Sequence, residues 1–76
     1  MAFERIVVDH RIMAGTPCIR GTRIPVASVV AMVAEGLFVD EIRRDYPQLT
    51  AEDVAEALRF AAAAVDERTL PLAPSA

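Results

Sequence analysis

The residues best equipped for chemistry lie in the first quarter of the chain. Cys18 is the sole cysteine, and His10, beside Asp9, the sole histidine. A thiol nucleophile needs a base held next to the sulfur and a pocket around both. A chain of 76 residues rarely encloses such a pocket. Cys18 lies between Pro17 and Ile19, where a free cysteine behaves as a small buried hydrophobe. Asp9 and His10 as a metal or acid–base pair meet a geometric objection, because neighbours on a strand point to opposite faces. A turn in which Asp9 bonds its own backbone fits better. Gly15-Thr16 and Gly21-Thr22 echo a phosphate loop, but such a loop leads into a helix and is normally followed by lysine. The chain has no lysine, so turn glycines with positive φ are the better reading.

Arginine carries all the fixed positive charge. Arg20 and Arg23 flank Gly21-Thr22, and Arg43-Arg44 lies further on. A guanidinium fork suits phosphate and carboxylate alike. Arg20 and Arg23 therefore fit DNA or a partner's carboxylates as well as internal ion pairs to Asp9, Glu41 or Asp45. Arg43 and Arg44 fit the same contacts or plain dipole compensation at a helix end. Four arginines meet three acids over residues 1–38, and four meet eight over 39–76, balances of +1 and −4 within a net −3. A dedicated nucleic-acid binder is usually basic, so any DNA contact must come from local patches.

The elements that position these residues follow from periodicity and punctuation. Residues 5–24 read as extended, with two or three short strands kept short by Pro17 and Pro25. Val26, Val29, Val30 and Val33 recur at helical spacing between Pro25 and Gly36, predicting a helix over 26–35. A second helix is expected over Val39–Tyr46, with acids in its first turn and arginines near its end. Pro47 stops it. The third starts at Thr50, with Asp53 completing a weaker capping box, and ends near Asp66–Arg68. Val54, Leu58, Ala61, Ala62 and Val65 form its expected buried stripe. Glu52, Asp53 and Glu56 are expected at its early exposed positions, which places the wrong charge for a groove-entering helix. Ala61–Ala64 allows close helix approach and self-association, although helix propensity alone explains alanine. Leu70-Pro-Leu-Ala-Pro-Ser-Ala lacks periodicity, so the expected organisation is one domain over 1–68 and a disordered tail over 69–76. The fold class expected is mainly α: a three-helix, helix-turn-helix or winged-helix-like bundle behind a short N-terminal β segment.

Length and composition bound the rest. A domain this small is marginal alone and usually adds disulfides, a metal or another copy of itself. One cysteine forms no internal bridge, and no zinc spacing is present. A homodimer or larger assembly is therefore expected. No cofactor, metal or membrane partner is expected. The start of the chain lacks a signal-like apolar stretch, no segment reaches membrane-spanning length, and a cytoplasmic location follows.

The segment Gly15-Thr-Pro-Cys-Ile-Arg-Gly-Thr-Arg-Ile-Pro-Val26, with Gly36, Glu41-Ile42, Asp45-Tyr46-Pro47, Leu49-Thr50 and Asp53-Val54, resembles the domain-of-unknown-function family numbered 433. The likeness runs from about Phe3 to Val65. It implies a compact helical module of the kind associated with VapB-type antitoxins, which dimerise, bind their operator and silence a PIN-like ribonuclease toxin. Where family members often carry Ser-Pro or Ser-x, this chain has Phe38-Val39, so its second helix lacks the usual cap. The implied function is a non-enzymatic antitoxin-like module; a stand-alone transcriptional regulator is the alternative. Candidate DNA contacts are Arg20, Arg23, Arg43 and Arg44. Candidate toxin contacts are Leu70 and Leu72, which have no place in the expected core.

Overall fold

The computed structural model of the chain describes residues 3–9, 11 and 15–66. His10, Leu70 and Leu72, and with them the expected tail, lie outside the described residues. The elements run β1 (Ile6–Val7), β2 (Cys18–Ile19), α1 (Val26–Ala34), α2 (Val39–Asp45) and α3 (Ala51–Asp66). The fold is mainly α, with three helices and a small antiparallel β segment near the N-terminus.

β1 and β2 pair Ile6 with Ile19 and Val7 with Cys18. The second strand then reverses at once. The Ile19 N–H donates to the Ile24 carbonyl at 2.9 Å. Thr22 ties the turn from inside, its hydroxyl donating to the Ile19 carbonyl at 2.8 Å and accepting from the Ile24 N–H at 3.0 Å. Gly21 supplies the φ of +77° that this reversal demands, a conformation costly for any residue with a Cβ. Pro25 makes an isolated bridge to Cys18, and it leads directly into α1 without needing the N–H it lacks.

α1 ends in a Schellman motif. Gly36, at φ +91°, donates to the Val33 carbonyl, and Leu37 donates to the Met32 carbonyl. This hydrogen-bond pair marks a helix stop by a left-handed residue. α2 lacks a side-chain cap, as the Phe38-Val39 pair predicts. Glu41 supplies half of one by accepting from the Phe38 N–H at 2.9 Å. α3 has the full reciprocal box. The Thr50 N–H donates to Asp53 at 2.9 Å, and the Asp53 N–H donates to the Thr50 hydroxyl at 3.1 Å.

The core joins every element. Ile6, Ile19, Ile24, Val26, Val29, Ile42, Leu49, Val54 and Ala57 are buried together. α1 and α3 form the main helix–helix contact, with α2 and β1 also packed on α3. Phe3 meets Phe60 edge-on, ring centroids 5.3 Å apart.

Two expectations for α3 need correction. Its buried stripe stops halfway: Val54 and Ala57 are buried, Leu58 and Ala61 are half-buried, and Ala62 and Val65 are exposed. α1 has nine residues and α3 sixteen, about 14 Å against 24 Å at 1.5 Å per residue. The shorter helix cannot cover the longer. Asp53 is the second correction, being buried rather than exposed. Its carboxylate turns inward because it has the Thr50 N–H and Arg5 to satisfy it.

Candidate interaction surfaces

Cys18 sits in the core at 1% exposure, its Sγ 3.3 Å from the Thr16 carbonyl. That matches the reading of a small structural hydrophobe. Asp9 makes the expected turn, accepting from the Arg11 N–H at 2.9 Å and from the Arg11 guanidinium at 3.2 Å. The guanidinium contact, followed by the backbone one, holds the Asp9 carboxyl below its ordinary value. Among the described residues no group of three or more His, Cys, Asp or Glu side chains could hold a metal ion.

The four candidate arginines separate into two pairs. Arg20 and Arg23 lie exposed in the turn after β2. Their suggested internal partners are otherwise engaged or apart: Asp9 is taken by Arg11, and Glu41 accepts from the Phe38 N–H. The ion pairs among the described residues are Arg5–Asp53, Arg11–Asp9 and Arg59–Glu52. Arg20, Arg23 and Arg44 therefore have no ion-pair partner among them. Arg43, though exposed, donates from Nε to the Leu49 carbonyl at 3.2 Å. It thereby braces the α2–α3 turn beside the buried Leu49. Sequence reasoning missed that bond, and dipole compensation at the end of α2 was only part of this residue's structural role.

Arg5 was also missed. Its guanidinium pairs with Asp53 at 3.1 Å, and its N–H donates to Glu56. These contacts tie the start of β1 to the first turns of α3 across 48 and 51 residues of chain. Spacing in one sequence carries no signal at that range.

A surface groove lies where α3 outruns the core. An open groove of about 430 Å³ runs between α1 and the last turns of α3, with Thr16 and Pro17 at one edge. Val26, Ala27, Val30 and Ala31 form one wall, and Phe60, Ala61, Ala64 and Val65 the other. No charged side chain lines it. Val65 is 58% exposed at its rim. Small residues on both walls bring backbone within reach of an occupant. The signal in the sequence was the apolar spacing of α3, which continues past the point where the domain can bury it.

The chain is thus a small helical module with an open apolar groove and exposed arginines. It is a member of the family described as "Protein of unknown function (DUF433)", whose profile matches residues 6–61. It is similar to the uncharacterized protein y4eO of Sinorhizobium fredii (strain NBRC 101917 / NGR234), 44% identical over 62 residues. That match covers 82% of this chain but 28% of the relative. It is also similar to the crystal structure of a DUF433 member protein from Anabaena variabilis ATCC 29413, with a TM-score of 0.76 and 33% identity. There the match covers 83% of this chain and 62% of the other. Both relatives extend well beyond the shared domain.

Proposed function

We propose that the chain is an antitoxin-like binding module rather than an enzyme. It assembles as a homodimer or larger, engages a PIN-like ribonuclease toxin, and contacts operator DNA through its exposed arginines. The observation that carries the binding reading is the uncharged groove between α1 and α3. Buried apolar surface is the main source of association energy, and an open groove with an uncharged lining offers such surface to a partner. The ribonuclease as partner rests on the family resemblance. The groove anchors the interface, and Leu70 and Leu72 add contacts from the segment after α3. The embedding of the same domain in a longer relative agrees with a module whose work is recognition.

The test is direct. The purified chain is titrated against a PIN-like ribonuclease while RNA cleavage is followed. Inhibition saturating at a fixed stoichiometry supports the reading; undiminished cleavage at excess chain overturns it.

The alternative, a transcriptional regulator without a toxin, is favoured by one specific observation: Arg20, Arg23 and Arg44 are exposed without ion-pair partners among the described residues. Phosphate contacts release counterions, so that reading requires DNA affinity falling steeply with salt.

A further inference from the structure

Phe38 breaks two local rules at once. It is the N-cap residue of α2 and forms no side-chain cap, where serine, threonine, aspartate or asparagine would bond a first-turn N–H. It is also 77% exposed, more than any other large hydrophobic among the described residues. Departures of this kind from local preference fall at functional positions. We propose that the Phe38 ring of one copy enters the α1/α3 groove of a second copy, and that the two copies exchange rings about a two-fold axis. This is the interface of the homodimer in the proposed function, on which it rests.

The backbone that carries the ring is held from both sides. The Phe38 N–H donates to Glu41 at 2.9 Å, and the Phe38 carbonyl accepts from the Glu41 and Ile42 N–H groups at 3.0 Å. The Schellman motif at Gly36 and Leu37 fixes the corner just before it. A group already held in place loses little freedom on binding. The exposed Phe38 does not line its own groove, so a Phe38 ring found there comes from another molecule. The groove, about 430 Å³ and without charge in its lining, is the scale of a small-ligand cleft. The ring carries no charge either.

The layout along α1 suits a reciprocal pair. The groove wall lies between Val26 and Ala31, and Phe38 follows the far end of the helix, Ala34. A two-fold axis across α1 sets the two helices antiparallel, the Phe38 end of each beside the groove end of the other. The exposed residues of α1 are Ala27, Ala31 and Ala34, small enough for close approach. Near a two-fold axis each residue meets its own copy, so a charge there would face its like. α1 has no charged residue from Val26 to Ala34.

Area decides between one contact and two. A buried aromatic side chain removes about 150–250 Å² from water, and with a comparable area of groove one contact buries about 300–500 Å². That is the size of a crystal-packing contact, below about 800 Å². Two reciprocal contacts, with the α1 alanines between them, approach the roughly 1,200 Å² at which specific interfaces begin. The dimer is therefore weak and reversible. Unfolding of the dilute chain reports the single copy, and a partner anchoring in the groove displaces the ring.

Sedimentation equilibrium of the full chain, from micromolar to millimolar concentration, compares wild type with F38S. The wild type is expected as a reversible dimer, and F38S, with unchanged helical circular dichroism, should dissociate at least about tenfold more readily. In parallel, wild-type chain with ¹³C-labelled valine methyls is mixed equally with unlabelled chain. Isotope-filtered nuclear Overhauser contacts are expected from the Phe38 ring of unlabelled copies to the Val30 and Val65 methyls of labelled ones. A dimer indifferent to F38S and lacking these contacts overturns the inference and leaves the homodimer standing. A monomer at every concentration overturns both. Growth beyond two chains that F38S abolishes overturns the reciprocal exchange.

Discussion

The two halves of α3 are built from similar residues and used differently. In its first half, Asp53, Val54 and Ala57 are buried against β1, α1 and α2, and the capping box and Arg5 lock the start. In its second half, Ala61, Ala64 and Val65 continue the apolar spacing into an open groove. The difference teaches that helical periodicity specifies a face and says nothing about what covers it. The first half holds the domain together. Beyond Phe60, which meets Phe3 and packs against the core, the second half offers surface, and changes there should be felt by partners rather than by the fold.

The largest effect expected is in the closed half and its neighbours. Ile42, on α2, is fully buried in the core. Ile42→Ala should cost about 2–5 kcal/mol in denaturant unfolding, much of the stability of a domain this small. Val65→Ser, in the open half, should stay within about 0.5 kcal/mol of the parent, as surface changes do. Similar losses for both would erase the distinction between the halves.

Asp53 sharpens the comparison at the helix start. Asp53→Ala removes the acceptor for the Thr50 N–H and the partner of Arg5. The expected cost is about 1–2 kcal/mol, mostly from the cap, because Arg5 is half exposed and an exposed pair contributes little. Asp53→Asn keeps an acceptor and should recover part of that loss. Thermal unfolding of the two variants measures it, and equal losses would assign the effect to charge.

The arginines should divide in the same way. Arg43→Ala should destabilise by about 1 kcal/mol through the Leu49 carbonyl bond it loses. A combined Arg20, Arg23 and Arg44→Ala change should leave unfolding nearly untouched. If DNA is bound, that triple change should flatten the salt dependence by about 0.9 in slope for each phosphate contact removed. Fluorescence anisotropy over a salt series reads this, and an unchanged slope would remove these residues from the DNA surface.

The smallest effect concerns acid. Arg11 lowers the Asp9 carboxyl below its unfolded value. The stability from that pair is fully present above the unfolded value and is lost as pH falls through the folded one. Asp9→Asn should slightly lower stability at neutral pH and leave it unchanged well below the folded value, so the acid side of the stability profile flattens. A loss that persisted unchanged into acid would contradict the assignment.

Much of this fold was legible in the sequence because local rules decide it. Valine spacing, Gly36 and the Thr50–Asp53 pair set helix limits within one or two residues of those observed. The Asp9 turn was legible for the same reason. The inward turn of Asp53, the Arg5 contacts and the Arg43 brace were not. Each is a choice among several oxygen acceptors made by three-dimensional packing. The stripe on α3 was legible as a face, but its exposure was not, because that depends on the relative lengths and placement of two helices. The candidate arginines could be named from residue type alone, and only the fold distinguished Arg43 from the other three.

In the proposed function the open rim of the α1/α3 groove binds a partner and contributes little to the fold. Ala31 is exposed and Ala64 half-buried on its two walls, so Ala31→Glu with Ala64→Glu should place charge in the groove and spare the core. The deciding measurement is calorimetric titration of a PIN-like ribonuclease, the proposed partner, with the wild-type chain and with this double variant, beside their unfolding midpoints. Matching midpoints and a loss of affinity of at least about tenfold, equivalent to about 1.4 kcal/mol, are expected. Equal affinity at matching midpoints would contradict that function.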